Sequence, residues 1–248
     1  GDVYKRQAML GVLGDGPMLQ AAGSLRIALS TTHWAGHPAD TEVVAAAESA
    51  ANALEDLGHR VTPVPIPVPH DEVMALWHPL FSRWVAYDAE LASAATGRPI
   101  DLDHVEPMTM HTIEVARALT ATDVTRAQVG QGLVTSTLET ALANHDVLLT
   151  PSLGRATIPL GTVAGDVASM DRYLADNDAI MPYNFLFNVA GWPAVSTPVG
   201  WAETGTPLGV QLAAPTGYEP VLLRIASELE EYGLFEYRRP EPTAGEGR

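Results

Sequence analysis

Hydrolytic and group-transfer chemistry needs a nucleophile with a base, or a metal, and this sequence supplies few residues for either. Cysteine is absent, which removes thiolate catalysis, disulfides and thiolate zinc sites. Lysine occurs once, at Lys5, so no lysine base is available further along the chain. Ser152 follows Pro151, and Ser196 sits in Val195-Ser196-Thr197. Both are read as turn or strand hydroxyls. The nearest Gly-Ser step, Gly23-Ser24, has no companion serine. His33 and His37 are spaced four apart, but Gly36 and Pro38 oppose the helix that would align them as ligands. His59, His70, His78, His104, His111 and His145 are scattered, and each is expected at a surface or helix end. Asp171, Asp176 and Asp178 could together hold a cation or a substrate amine, although loop solvation explains them more simply. With no Walker or dinucleotide fingerprint either, no catalytic residue, metal site or cofactor is assigned.

A charge-free stretch runs from Ala179 to Ala202 in an otherwise acidic chain. Its length would suit a membrane span if it were one helix. Pro193 and Pro198 exclude that, and Gly191 sits where a helix closing on a left-handed residue needs glycine. The pattern predicts a short buried helix over Ala179–Ala190 and an extended segment over Ala194–Val199. Asn184 and Asn188 are one turn apart on that helix, and buried amides must bond either backbone or substrate.

The elements that would position these residues alternate between strand and helix. "LRIALS" is a compact strand, and a helix from about Thr41 places Val43, Ala47, Ala50, Leu54 and Leu57 on one face before Gly58. "HRVTPVPIPVP" alternates apolar residues with proline and suits an edge strand. The three form a strand-helix-strand unit with an expected right-handed crossover. A long helix over Asp71–Ala95 carries Trp77, Leu80, Phe81, Trp84 and Leu91, all expected in the core. Pro107 opens another helix, and Thr120 with Asp123 caps a further one running to about Asn144. "DVLLTPSLG" is a buried strand expected to end at Thr150 and Pro151, where the proline breaks the ladder. Two strands joined across Glu203–Thr206 and a closing helix over Tyr218–Tyr232 complete the chain. Gly1–Gln7 has neither periodicity and is expected to be a non-native or boundary segment. "AMLGVL" looks like the end of a helix whose start is missing, residues 8–240 form one partial domain, and 241–248 form a disordered tail.

Across its 248 residues, 46% are hydrophobic, enough for one sizeable core. A formal charge of −16 repels phosphate backbones and anionic headgroups, which argues against nucleic-acid and membrane-surface partners. The lack of cysteine fits a cytoplasmic setting, and no signal peptide is evident.

"DVLLTPSLG", "FNVAGWPAVSTPVG" and "TPLGVQLAAPTGYEPVLLRIASELE" resemble successive C-terminal landmarks of the amidase signature family, in order. "LRIALS" with "LEDLGHRV" resembles the unit that opens the family's C-terminal half, so the resemblance covers about Ala8 to Gly233. The "EPMT" stretch looks most like the subgroup of cyclic-amide and nylon-oligomer hydrolases. The resemblance implies an α/β fold, a mixed sheet flanked by helices, and hydrolysis of a small-molecule amide without a cofactor. In the family a paired-serine and lysine system does this work from the N-terminal half, and no matching residues stand here. What it implies for this chain is a substrate wall of Met181, Asn184, Phe185 and Asn188, with Pro151 and Ser152 across the cleft. Trp192 departs from the family, which commonly has a smaller apolar residue at that position. The expected partner is the N-terminal half of the same enzyme, and a homodimer of the intact enzyme stays open. Without that half the chain is expected to be inactive and to expose strand edges and the apolar side of the Val43–Leu57 helix. A non-catalytic subunit completing another chain's site, and an unrelated α/β binding module, remain as alternatives.

Overall fold

The computed structural model describes residues 23–32, 34–163 and 170–237. The expectations for Gly1–Gln7, for "AMLGVL", for His33 and for the tail fall outside the described residues. β1 (Arg26–Leu29), β2 (Arg60–Pro63), β3 (Val147–Pro151), β4 (Ala194–Trp201) and β5 (Pro207–Ala213) form a sheet in the order β2-β1-β3-β5-β4. β2, β1 and β3 run parallel, while β5 is antiparallel to both β3 and β4. The mixed, helix-flanked α/β fold is therefore the observed one.

Two apolar layers cover the sheet. On one face, Ile27, Val147, Leu149, Val210 and Leu212 pack against α1 (Thr41–Asp56) and α7 (Glu219–Tyr232). The four-and-three spacing of Val43, Ala47, Ala50 and Leu54 is what makes α1 fit, and these four are 0–4% exposed. Leu57, at the end of the helix, is 42% exposed and does not join them. On the other face, Ala28, Leu148 and Ala213 meet α2 (His70–Thr96), α4 (Ala121–Ala141) and α6 (Asn184–Ala190). α3 (Pro107–Ala118) packs on α2 through Ile113, Ala116 and Ala86. The predicted capping box starts α4: the Thr120 side chain accepts from the Asp123 amide, and Asp123 accepts from the Thr120 backbone.

Two expectations about these elements are corrected. The predicted Ala179–Ala190 helix is two helices, α5 (Met170–Ile180) and α6, because Pro182 has no N–H to continue the ladder. Gly191 then ends α6 at φ 68°, as its position required. β3 ends at Pro151 as expected, and its pairing with β1 stops at Leu149; only the β5 side carries on, where Pro151 pairs with Val210 and the Ser152 amide donates to the Gly209 carbonyl at 3.0 Å. Phe81, Trp84 and Leu91 are 41%, 64% and 51% exposed rather than core, since α2 is longer than the surface that covers it.

The sheet's edges differ. β2 is followed by Pro65 and Pro67, which supply no donors for a further strand. β4 is eight residues long, with Thr197 and Val199 buried on one side and Ala194, Ser196 and Pro198 exposed on the other. Its register slips between Pro198 and Gly200, a bulge that proline is tolerated beside on an edge strand.

Candidate active-site cleft

Parallel strands β1 and β3 end together at Ser30 and Ser152, and the Ser30 amide donates to the Leu149 carbonyl at 2.9 Å. In open α/β sheets, ligands bind outside such carboxyl ends. Ser152 and Ser196 meet there with their hydroxyl oxygens 2.6 Å apart. Gly209 makes room for the pair: a Cβ at that position would lie 3.0 Å from Ser152 Oγ and 3.4 Å from Ser196 Oγ. A cleft of about 260 Å³ opens beside the hydroxyls, walled by Val43, Leu153, Pro198 and Leu208.

Ser196 lies opposite Gln211 in the β4–β5 register, and Gln211 in turn meets Asn184 at the start of α6. Asn184 Nδ2 donates to Gln211 Oε1 at 3.4 Å, a long bond. Asn184 Oδ1 and Gln211 Nε2 are buried with no hydrogen-bond partner among the described residues. Interchanging O and N on both amides still leaves one donor and one acceptor unpaired. Four polar side chains thus run along one face of an apolar sheet, from exposed Ser196 to Gln211 at 7% exposure. Gln211 was missed in the sequence, where its signal was an amide in the buried strand "PLGVQLA".

The remaining expected wall residues are dispersed. Pro151 is buried in β3, and Met181 is half-buried in the turn between α5 and α6, its amide donating to Asn177 O at 2.7 Å. Phe185 is 8% exposed and packs on Trp77 with ring centroids 5.4 Å apart. Asn188 is exposed near the end of α6 and does not join Asn184. Trp192 is 7% exposed and belongs to the apolar layer beneath α6.

Asp176 and Asp178 take separate partners, and the side chain of Asp171 lies outside the described residues. Asp176 pairs with Arg172 at 3.6 Å, while Asp178 faces His70 Nε2 at 3.4 Å from a side chain 20% exposed. Trp34 stands edge-on to His70 at 5.0 Å. Asp178 raises the His70 pKa above its ordinary value, burial opposes this, and Asp71 adds to it. Burial lowers the pKa of neighbouring His78. The Tyr183 hydroxyl, pushed up to about 12 by burial, donates to the Thr31 carbonyl at 3.2 Å. His59 stands at a helix end, one of the two settings expected for it, its amide donating to the Leu54 carbonyl at 3.0 Å just past α1, but it is not at the surface. It is 7% exposed, its Nδ1 accepts from the Leu25 amide, and its Nε2 therefore donates to Glu228 at 2.8 Å. Among the described residues, no group of three histidine or acidic side chains could hold a metal ion, and no helix is long and apolar enough to cross a membrane.

Comparison with known proteins agrees with this architecture. An acylamidase of Rhodococcus erythropolis is 30% identical over 87% of this chain and 44% of its own. A 6-aminohexanoate-cyclic-dimer hydrolase of Paenarthrobacter ureafaciens is 30% identical over 88% of this chain and 46% of its own. A solved structure of 6-aminohexanoate cyclic dimer hydrolase complexed with substrate superposes with a TM-score of 0.74 at 28% identity, covering 86% of this chain and 46% of that one. A crystal structure of an amidase shares the fold at a TM-score of 0.73 and 20% identity. The chain spans about half the length of these relatives. The family model named Amidase matches residues 16–223, and the chain belongs to that family, the amidase signature enzymes.

Proposed function

We propose that this chain forms the substrate-facing wall and part of the central sheet of an amide hydrolase whose nucleophile and base lie in a second segment. That segment is the N-terminal half of the same enzyme, joined to this one or supplied separately. The observation that carries the proposal is β4, an eight-residue strand that ends the sheet with one side buried and the other, at Ala194, Ser196 and Pro198, uncovered. A strand with a free edge and a bare face accepts another strand and another layer. The relatives' roughly doubled length supports such a further layer, and their names, an acylamidase and a 6-aminohexanoate-cyclic-dimer hydrolase, support small amides, cyclic ones included, as the substrate class.

In this arrangement Ser152, Asn184, Gln211 and Met181 face the acyl part of a small-molecule amide, with Phe185 and Pro151 as apolar backing. Asn188 stands at the rim. A serine nucleophile, lysine base and oxyanion donors come from the second segment, because hydrolysis of an amide needs an activated hydroxyl and aimed donors. The proposed setting is cytoplasmic, without metal or cofactor. The −16 charge supports a small molecule rather than nucleic acid or membrane as the ligand.

Product formation from a panel of aliphatic, aryl and cyclic amides tests this. The isolated chain should give no turnover, and addition of a separately expressed N-terminal half from a relative should restore it. Turnover by the chain alone, blocked by a serine-reactive inhibitor attached to one of its own serines, would overturn the proposal. A mixture of folded halves that associate yet stay inactive would favour a non-catalytic subunit.

A further inference from the structure

A second cavity, of about 170 Å³, lies at the opposite end of the sheet from the Ser152–Ser196 pair. Its wall is built where β1 and β3 begin, at Arg26, Asp146 and Leu148, and is completed by Glu139, His145 and Trp192. The length of β3 separates it from the cleft, roughly 16 Å for five residues. No residue lining it also lines the cleft.

Two features of this wall point to a ligand. Trp192 is 7% exposed, and its Nε1 is buried without a hydrogen-bond partner among the described residues. His145 Nδ1 is buried in the same condition. An indole N–H donates only, whereas the bare nitrogen of a neutral imidazole accepts. The two together match a group carrying both a carbonyl oxygen and an N–H.

Charge narrows the class further. Arg26 is already held by Asp146 through contacts of 2.8 and 3.2 Å, so no free cation stands among these wall residues to receive a carboxylate. Glu139 adds negative charge to the wall, in a chain of net charge −16. A carboxylate is repelled there and has no N–H to offer His145. An uncharged amide meets neither obstacle.

We propose that this cavity is a second binding site, for a small uncharged carboxamide or lactam, whose oxygen accepts from the Trp192 indole and whose N–H donates to His145. The site needs neither turnover nor a second segment, so it stands or falls apart from the catalytic proposal.

The test uses the ¹⁵N-labelled full chain and its indole N–H resonances, with Trp192→Phe identifying the relevant signal. Isobutyramide and isobutyrate are the probes, equal in shape and different in charge and donor. Isobutyramide should shift the Trp192 indole signal saturably, and isobutyrate should bind at least fivefold more weakly. Ala143→Leu, at an exposed position in the cavity wall, should weaken isobutyramide at least fivefold while leaving the other indole signals in place. Ser196→Ala, in the distant cleft, should leave binding unchanged. No saturable shift, an equal response to isobutyrate, or undiminished binding in Ala143→Leu would each overturn the proposal. So would cross-relaxation between the Trp192 indole and residues 1–22 in the ligand-free chain, because the chain's own N-terminal segment would then fill the cavity.

Discussion

At the scale of single residues, the proposed acyl wall rests on a hydroxyl pair and an amide pair that are satisfied to different degrees. Ser152 and Ser196 bond each other at 2.6 Å beside solvent, so either can lose its partner and turn to water. Asn184 and Gln211 share one long bond and leave a donor and an acceptor unpaired in a buried place. A substrate polar group that pairs with them loses about 1 to 3 kcal/mol when one is removed. In the reconstituted enzyme, Asn184→Leu should therefore lower kcat/KM about tenfold or more, and Ser152→Ala by much less, at matched complex stability. Equal kcat/KM for the two variants would take Asn184 out of the substrate's reach. A second residue-scale effect concerns His70, which faces Asp178 and Asp71 as acids, His78 as a burial-lowered base, and Trp34. Because its folded pKa is raised, its stabilising contribution is fully present below the unfolded value of 6.5 and is lost as pH rises through the folded value. Backbone amides of α5, corrected for intrinsic exchange, should be better protected at pH 6 than at pH 8, and Asp178→Asn should flatten that difference. Equal protection at both pH values in the unmodified chain would show that the His70–Asp178 contact does not hold α5 in place.

At the scale of elements, helix spacing and helix boundaries behave differently. α1 packs as its apolar repeat requires, and its fully buried Leu54 contributes on the order of 1.5 to 3 kcal/mol. α2 and α4 approach at Gly130, where a Cβ would run into the Leu76 side chain, including Cγ at 3.2 Å. Relief requires the whole leucine head to move, not only a methyl tip. Gly130→Ala gains up to about 1 kcal/mol of helix propensity but meets an overpacking cost of about 1 to 3 kcal/mol. Net destabilisation of about 1 kcal/mol is expected, read as a lower midpoint in urea. A raised midpoint would show that Leu76 repacks freely. The split between α5 and α6 belongs to this scale as well, since it places Asn184 at the start of a new helix and Asp178 near the end of the previous one.

For the whole molecule, the apolar surface left uncovered is not where the sequence placed it. The Val43–Leu54 face of α1 is closed by the sheet and α7 and is buried within this chain. Phe81, Trp84, Tyr87 and Leu91 on α2, with Val129 and Leu133 on α4, are exposed instead, along with the bare side of β4. Such surfaces associate. The isolated chain should bind a hydrophobic dye and self-associate, and both should fall when the complementary half is added. A monodisperse monomer with a sharp melt and little dye binding would show that the core is not shared. Local sequence determined most of the helices, caps and strands of this protein, though not the helix Met170–Ile180, because apolar period, proline and glycine act within a few residues: Gly191, Pro107 and the Thr120–Asp123 box are examples. The ordered landmarks also carried the family. Only the tertiary structure decided that Ser152 meets Ser196 and that Asn184 meets Gln211 rather than Asn188, partners 44 and 27 residues apart. Those meetings follow from strand order and register, which depend on how distant apolar faces are buried together.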